Sequence, residues 1–174
     1  MDPLQEQFEK ANGDLLIEWM NKKYNTNYVF SRRAGEAPDL VYSSDNEELF
    51  VEVTAAYYDG SHAKFLWSGA RDTEAVIEPW FGVNPDASLA EEITNRISIK
   101  SNIQYGSDCL LLVVVPPGLT TAEELESLLD TEKLASESPF IGIYVAGRFP
   151  ISTDSAGGYR VLQIKEYPLT HALR

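Results

Sequence analysis

Cysteine and histidine are nearly missing from this sequence, which has one cysteine (Cys109) and two histidines (His62, His171) among 174 residues. A single thiol excludes an internal disulfide and any cysteine-based metal cluster. Two histidines are too few for a zinc site built on histidine alone. Long hydrophobic runs are missing too. The longest, Leu110 to Val115 with the flanking Cys109, falls far short of the roughly 20 residues a membrane helix needs, so no membrane contact is expected. The amino-terminal MDPLQEQFEK is charged and has no apolar signal core, which predicts a soluble, cytoplasmic protein. Positive charge is scarce as well: 14 Lys and Arg face 27 Asp and Glu, for a net charge of −13. That balance opposes non-specific nucleic-acid binding, which works by neutralising phosphates. It leaves room for a small basic channel on an acidic body.

At 44% hydrophobic and 11% aromatic, the chain can bury a core, and a single globular domain over residues 1–174 is expected. Asp2-Pro3-Leu4-Gln5 reads as a helix start, with Asp2 as N-cap and Gln5 placed to close a capping box. Leu4, Phe8, Ala11, Leu15 and Trp19 recur at helical spacing and predict a buried stripe on a helix reaching Tyr24. Three strands follow in a meander, near Tyr28–Phe30, Asp39–Tyr42 and Leu49–Val53. Residues 55–88 are rich in aromatics, carry no period and read as an insertion. A helix over Leu89–Tyr105, a buried strand over Cys109–Val115, and a capping box at Thr121–Glu124 opening a helix to Leu129 come next. Strands over Phe140–Ala146 and Tyr159–Tyr167 finish the chain. This order predicts an α/β fold with a mixed central sheet flanked by helices.

One group of residues has the makings of a site. Pro38-Asp39 opens one strand and Glu52-Val53-Thr54 closes the next, so a hairpin would bring the carboxylates of Asp39 and Glu52 to one end of the sheet. Alternation puts Val51 and Val53 on one face and Phe50 and Glu52 on the other. A carboxylate between apolar residues on an inner strand is costly unless a divalent metal or a lysine meets it. On the following helix, Leu89, Ile93 and Ile97 form the buried stripe, and Lys100 and Gln104 fall on it too. Lysine on such a face is abnormal, and the economical explanation is that Lys100 points at Asp39 and Glu52.

This constellation resembles the PD-(D/E)XK nuclease superfamily, whose restriction-endonuclease-like core is a three-layer α/β fold. Its motif is a Pro-Asp before one strand and an acid-x-Lys at the end of the next, here Pro38-Asp39 and Glu52-Val53-Thr54. The family order of helix, three-stranded meander, helix and strand matches Asp2 to Val115. Thr54 stands where the motif lysine belongs, and members are known in which that lysine has migrated to the following helix, the position Lys100 occupies. The resemblance implies that Asp39, Glu52 and the Val53 carbonyl bind Mg²⁺ or Mn²⁺, with Asp14 or Glu18 as a first-helix acid. It also implies that Lys100 orients or deprotonates the attacking water, supported by Gln104. Lys22, Lys23, Arg32 and Arg33, the one dense basic cluster, would then track the DNA backbone.

Each residue also has a plainer reading. Asp39 is a turn residue after proline, Glu52 a solvated edge residue, and Lys100 a lysine snorkelling past the helix end. Asp14, Glu18 and the basic cluster are solvated surface on that reading, and the aromatics of the insertion are core or lid rather than platforms for bases. Cys109 reads as an inert buried thiol. Asp59, Ser61 and His62 lie too close in sequence and lack an elbow motif, so they do not read as a hydrolase triad. The leading expectation is a metal-dependent nuclease acting on DNA. The alternatives are a catalytically silent nuclease fold used as an immunity or inhibitor protein for a basic partner, or a subunit of a DNA-processing complex.

Overall fold

A computed structural model describes residues 2–35, 37–45, 47–58, 83–118, 120–150 and 158–167. The first element is helix α1 (Pro3–Tyr24). Asp2 caps it, its side chain accepting the Leu4 N–H at 3.0 Å, and Asn25 ends it in the left-handed conformation. Gln5 does not close a capping box. Its amide turns forward and donates to Glu9 Oε1 at 2.9 Å.

The buried face of α1 also differs from the expected stripe. It consists of Glu9, Gly13, Leu16, Ile17 and Met20, whereas Ala11 and Leu15 are exposed and Leu4, Phe8 and Trp19 are half-buried flanks. The cause is a close approach at Gly13. A Cβ there would lie 2.4 Å from Leu40 Cδ1 and 2.6 Å from the Tyr42 hydroxyl oxygen. The helix rests its glycine on the sheet, and the rest of its face turns to follow.

Strands β1 (Val29–Arg33), β2 (Leu40–Ser44) and β3 (Glu47–Ala55) form the expected antiparallel meander. The chain then crosses over. Helix α2 (Pro85–Ser101) leads to β4 (Cys109–Val114), which lies parallel to β3. Helices α3 (Ala122–Leu128) and α4 (Thr131–Glu137) lead to β5 (Gly142–Arg148), parallel to β4, and β6 (Tyr159–Lys165) closes the sheet antiparallel to β5. The six strands stand in sequence order. Parallel neighbours need helical crossovers, and these put helices on the sheet. All six residues of β4 are buried, as befits a central parallel strand.

Two apolar layers result, giving a three-layer α/β arrangement. α1 packs on one face with Leu40, Tyr42, Val51, Val53 and Tyr144. α2, α3 and α4 pack on the other with Leu111, Val113, Ile143 and Leu162. The capping box of α3 forms as expected, Thr121 Oγ1 accepting the Glu124 N–H at 3.2 Å. Helix α4 was not expected from the sequence, because its seven residues carry a single buried apolar position, Leu134.

Helix α2 begins at Pro85 and ends at Ser101, several residues earlier at both ends than expected. Gln104 and Tyr105 therefore lie in the connection to β4. Most of the aromatic insertion, including Phe65, Trp67, Trp80, Phe81 and the trio Asp59, Ser61 and His62, falls outside the described residues. Among those described, no helix is long and apolar enough to cross a membrane.

Candidate metal centre

The β2–β3 register builds the site. Leu40 pairs with Val51, so the next step toward the start of β2 sets Asp39 beside Glu52. Both are buried, at 6% and 2% exposure. Asp39 Oδ2 accepts the Val53 N–H at 2.8 Å, tying the first acid to the backbone of the strand that carries the second. Val51 and Val53 face α1, while Glu52 faces the α2 side. From α2, Lys100 Nζ reaches Glu52 Oε1 at 2.5 Å. Lys100 stands one turn beyond buried Ile97, which aims its stem along the apolar layer toward β3. Thr54, at the position of the motif lysine, is half-buried.

Burial pushes the Asp39 carboxyl up to about 6. The Val53 N–H opposes that shift, the charges of Glu52 and Glu9 add to it, and Lys100 pulls the other way. Glu9 is therefore the first-helix carboxylate felt by Asp39. It is 4% exposed and paired with Arg33, and the Ala34 N–H that follows Arg33 donates to the Asp39 carbonyl at 3.1 Å. Each of the two flanking acids has its own cation, Glu52 with Lys100 and Glu9 with Arg33. Asp39 accepts a backbone N–H and has no ion-pair partner of its own among the described residues.

Asp14 and Glu18, the expected first-helix acids, are turned elsewhere. Asp14 accepts from the Tyr42 hydroxyl at 2.9 Å and pairs with Lys10, and Glu18 pairs with Lys22 at 2.7 Å on the exposed side of the helix. Glu9 was legible in principle, because Glu9, Gly13, Leu16 and Met20 follow helical spacing. A glycine contributes nothing to a hydrophobic pattern, so the apolar spacing points to Leu4, Phe8, Ala11, Leu15 and Trp19 instead.

The expected basic cluster is not gathered. Only Arg33 adjoins the carboxylates. Lys22 serves Glu18, Arg32 serves Glu48, and Lys23 donates to Gln163 with its amine 4.9 Å from the Trp19 ring centroid. Lys22 lies thirteen residues beyond Glu9, about 20 Å along the helix axis. Neighbours in sequence are here separated by the length of α1.

Gln104 is exposed beyond the end of α2 rather than on its buried stripe. Its neighbour Tyr105, missed at the sequence level, adjoins the site instead. Burial raises its phenol first, and the charge of Glu52 raises it further. Cys109 is buried, and its thiol is pushed up to about 12 by burial and then by Glu52, so it stays protonated and inert. Among the described residues, no three Asp, Glu, His or Cys side chains form a ready-made metal cage. Glu52 Oε2 is buried and completes no hydrogen bond.

Fold and site together define a mixed α/β sheet carrying two acids and a lysine, Asp39, Glu52 and Lys100, at the β2–β3 hairpin. No family model and no curated protein matches the chain. Among solved structures it is similar to SfsA of Pyrococcus furiosus in complex with Ca²⁺, at 15% identity and a TM-score of 0.31. The match covers 90% of this chain and 60% of that one.

Proposed function

We propose that the chain is a divalent-metal-dependent nuclease of PD-(D/E)XK type, hydrolysing phosphodiester bonds in DNA. The observation that carries this reading is Lys100 Nζ at 2.5 Å from Glu52 Oε1, with Asp39 beside Glu52 across the hairpin. Lys100 and Glu52 are 48 residues apart in sequence and meet in a buried place where an acid needs a cation.

The residues fit a hard cation. Asp39, Glu52 and the Val53 carbonyl offer only oxygen donors, as Mg²⁺ and Mn²⁺ prefer. Glu52 Oε2 is a buried acceptor in need of a partner, and Asp39 is an acid whose ionisation a nearby cation would favour. When bound, the ion supplies a water of lowered pKa and positive charge at the scissile phosphate. Asp39 and Glu52 hold it. Lys100, fixed by Glu52, presents its ammonium to the attacking water and to the oxygen on which negative charge develops. Arg33 pairs with Glu9 as Lys100 pairs with Glu52, so both acids that flank Asp39 are compensated.

Nicking of supercoiled plasmid in Mg²⁺ or Mn²⁺ tests this reading. Wild-type protein should nick, and Glu52→Ala should not. A wild-type protein that leaves both plasmid and single-stranded DNA intact with either metal ends the nuclease reading.

A second reading, a catalytically silent binding protein, is favoured by one observation: Lys22, Lys23, Arg32 and Arg33 are each engaged internally. At net charge −13 such a protein would suit a basic partner, for which complementary charge speeds encounter. Retention of a tight, basic, stoichiometric partner by a protein that cuts nothing is the result it expects.

A further inference from the structure

Lys100 engages only one oxygen of Glu52. The other, Oε2, is buried without a completed hydrogen bond, and the Tyr105 hydroxyl is buried in the same condition. The two groups belong to one layer. Tyr105 packs on Phe140, their ring centroids 5.2 Å apart, against the layer that includes Phe50 and Cys109. Phe50 pairs with Cys109 across β3 and β4, two residues before Glu52 on the same face. Burial and then the charge of Glu52 raise the phenol, and neither the hydroxyl nor Oε2 completes a hydrogen bond. A buried donor and a buried acceptor, both unserved and in one place, are the natural partners of each other.

We propose that Tyr105 is a positioning residue whose hydroxyl can turn to donate to Glu52 Oε2, an acceptor the structure leaves open, and gives that oxygen up when a divalent cation binds. Lys100 and Tyr105 lie five positions apart, at the end of α2 and just beyond it. With Lys100 on Oε1 and Tyr105 turned onto Oε2, both oxygens of one carboxylate would be held and its plane fixed. Tyr105 and Cys109 border a cleft of about 660 Å³, formed by the α2–β4 connection with Pro139 and Phe140.

The first half of this proposal stands without any metal, and the second rests on the nuclease reading above. Two measurements keep them apart. The first is a double-mutant cycle between Tyr105→Phe and Glu52→Leu, read by urea unfolding in EDTA. Both variants keep the volume of the side chain they replace. A hydrogen bond to a charged group predicts a coupling of about tenfold or more in the unfolding equilibrium constant. Effects that multiply independently to within twofold overturn the clamp.

The second measurement is Mn²⁺ titration of wild type, Tyr105→Phe and Glu52→Leu. Removal of the competing hydroxyl should tighten binding about tenfold in Tyr105→Phe, and Glu52→Leu should lose it. Equal or weaker binding by Tyr105→Phe overturns the release step. If neither wild type nor Tyr105→Phe binds Mn²⁺, the metal reading and the release step fall together, while the cycle still decides the clamp.

Discussion

Lys100 Nζ lies 2.5 Å from Glu52 Oε1, joining the last turn of α2 to an inner strand of the sheet. Glu52 is 3% exposed at its side chain and Lys100 24%, so the acid depends on the lysine far more than the lysine depends on the acid. Removing the cation strands a charge in the interior. Lys100→Met should therefore destabilise the protein by about 3 kcal/mol, as removal of one partner from a buried pair does. The double variant Lys100→Met/Glu52→Leu should recover most of that loss, because it removes both charges. Urea unfolding of the three proteins measures this, and a single variant within about 0.5 kcal/mol of wild type, the range of an ordinary surface change, would show that the pair is surface decoration.

Asp39 predicts an inverted pH dependence of stability. Its carboxyl rises from 3.8 to about 6 in the fold, so between those values the native state binds more protons than the unfolded chain. Its contribution is then fully present below pH 3.8 and is lost as pH rises through 6, by about 3 kcal/mol. Asp39→Asn keeps an acceptor for the Val53 N–H and removes the charge. The variant should be more stable than wild type at pH 7.5 and nearly equal to it at pH 3.5. Unfolding curves at the two pH values decide the matter, and a variant less stable at pH 7.5 contradicts the assignment.

Cation binding should appear as stability. Mn²⁺ at about 100 times its dissociation constant adds about 2.7 kcal/mol to a protein that binds it only when folded. Wild type should show a corresponding rise in melting temperature, and Asp39→Asn and Glu52→Leu should not. Equal shifts in all three proteins would place the ion somewhere other than these carboxylates.

Gly13 is needed for space rather than for conformation. Alanine favours a helix interior by about 1 kcal/mol over glycine, yet a Cβ at position 13 meets Leu40 Cδ1 at 2.4 Å and the Tyr42 hydroxyl oxygen at 2.6 Å. Gly13→Ala should lower stability by about 1–3 kcal/mol, as overpacking does. It should also loosen the Tyr42–Asp14 hydrogen bond. Thermal unfolding tests this, and a rise in melting temperature would show that the sheet yields to the helix.

Much of the candidate site could be read directly from residue types. Pro38-Asp39 and Glu52-Val53-Thr54 sit on a predicted hairpin, strand alternation separates Glu52 from its valine neighbours, and Lys100 falls on a helix face where a lysine is out of place. Hairpin register and helical period are local properties. They fix which residues share a face, and so local pattern alone brings Asp39, Glu52 and Lys100 together.

The sequence by itself determined the types of the described elements other than α4, the caps at Asp2 and Thr121, the buried β4, and this acid–lysine constellation, because each follows from dihedral preference or periodicity within a few turns of chain. Only the tertiary structure decided that Glu9, rather than Asp14 or Glu18, adjoins Asp39. The depth to which α1 settles on Gly13 is set by Leu40 and Tyr42 on another element, and no pattern within the helix contains that information. Tertiary structure also scattered Lys22, Lys23, Arg32 and Arg33 onto separate partners, since ion pairing depends on which acids the fold brings within reach. It ended α2 at Ser101, exposing Gln104 and bringing Tyr105 against Glu52, where the α2–β4 connection must meet a sheet whose position the helix alone does not specify.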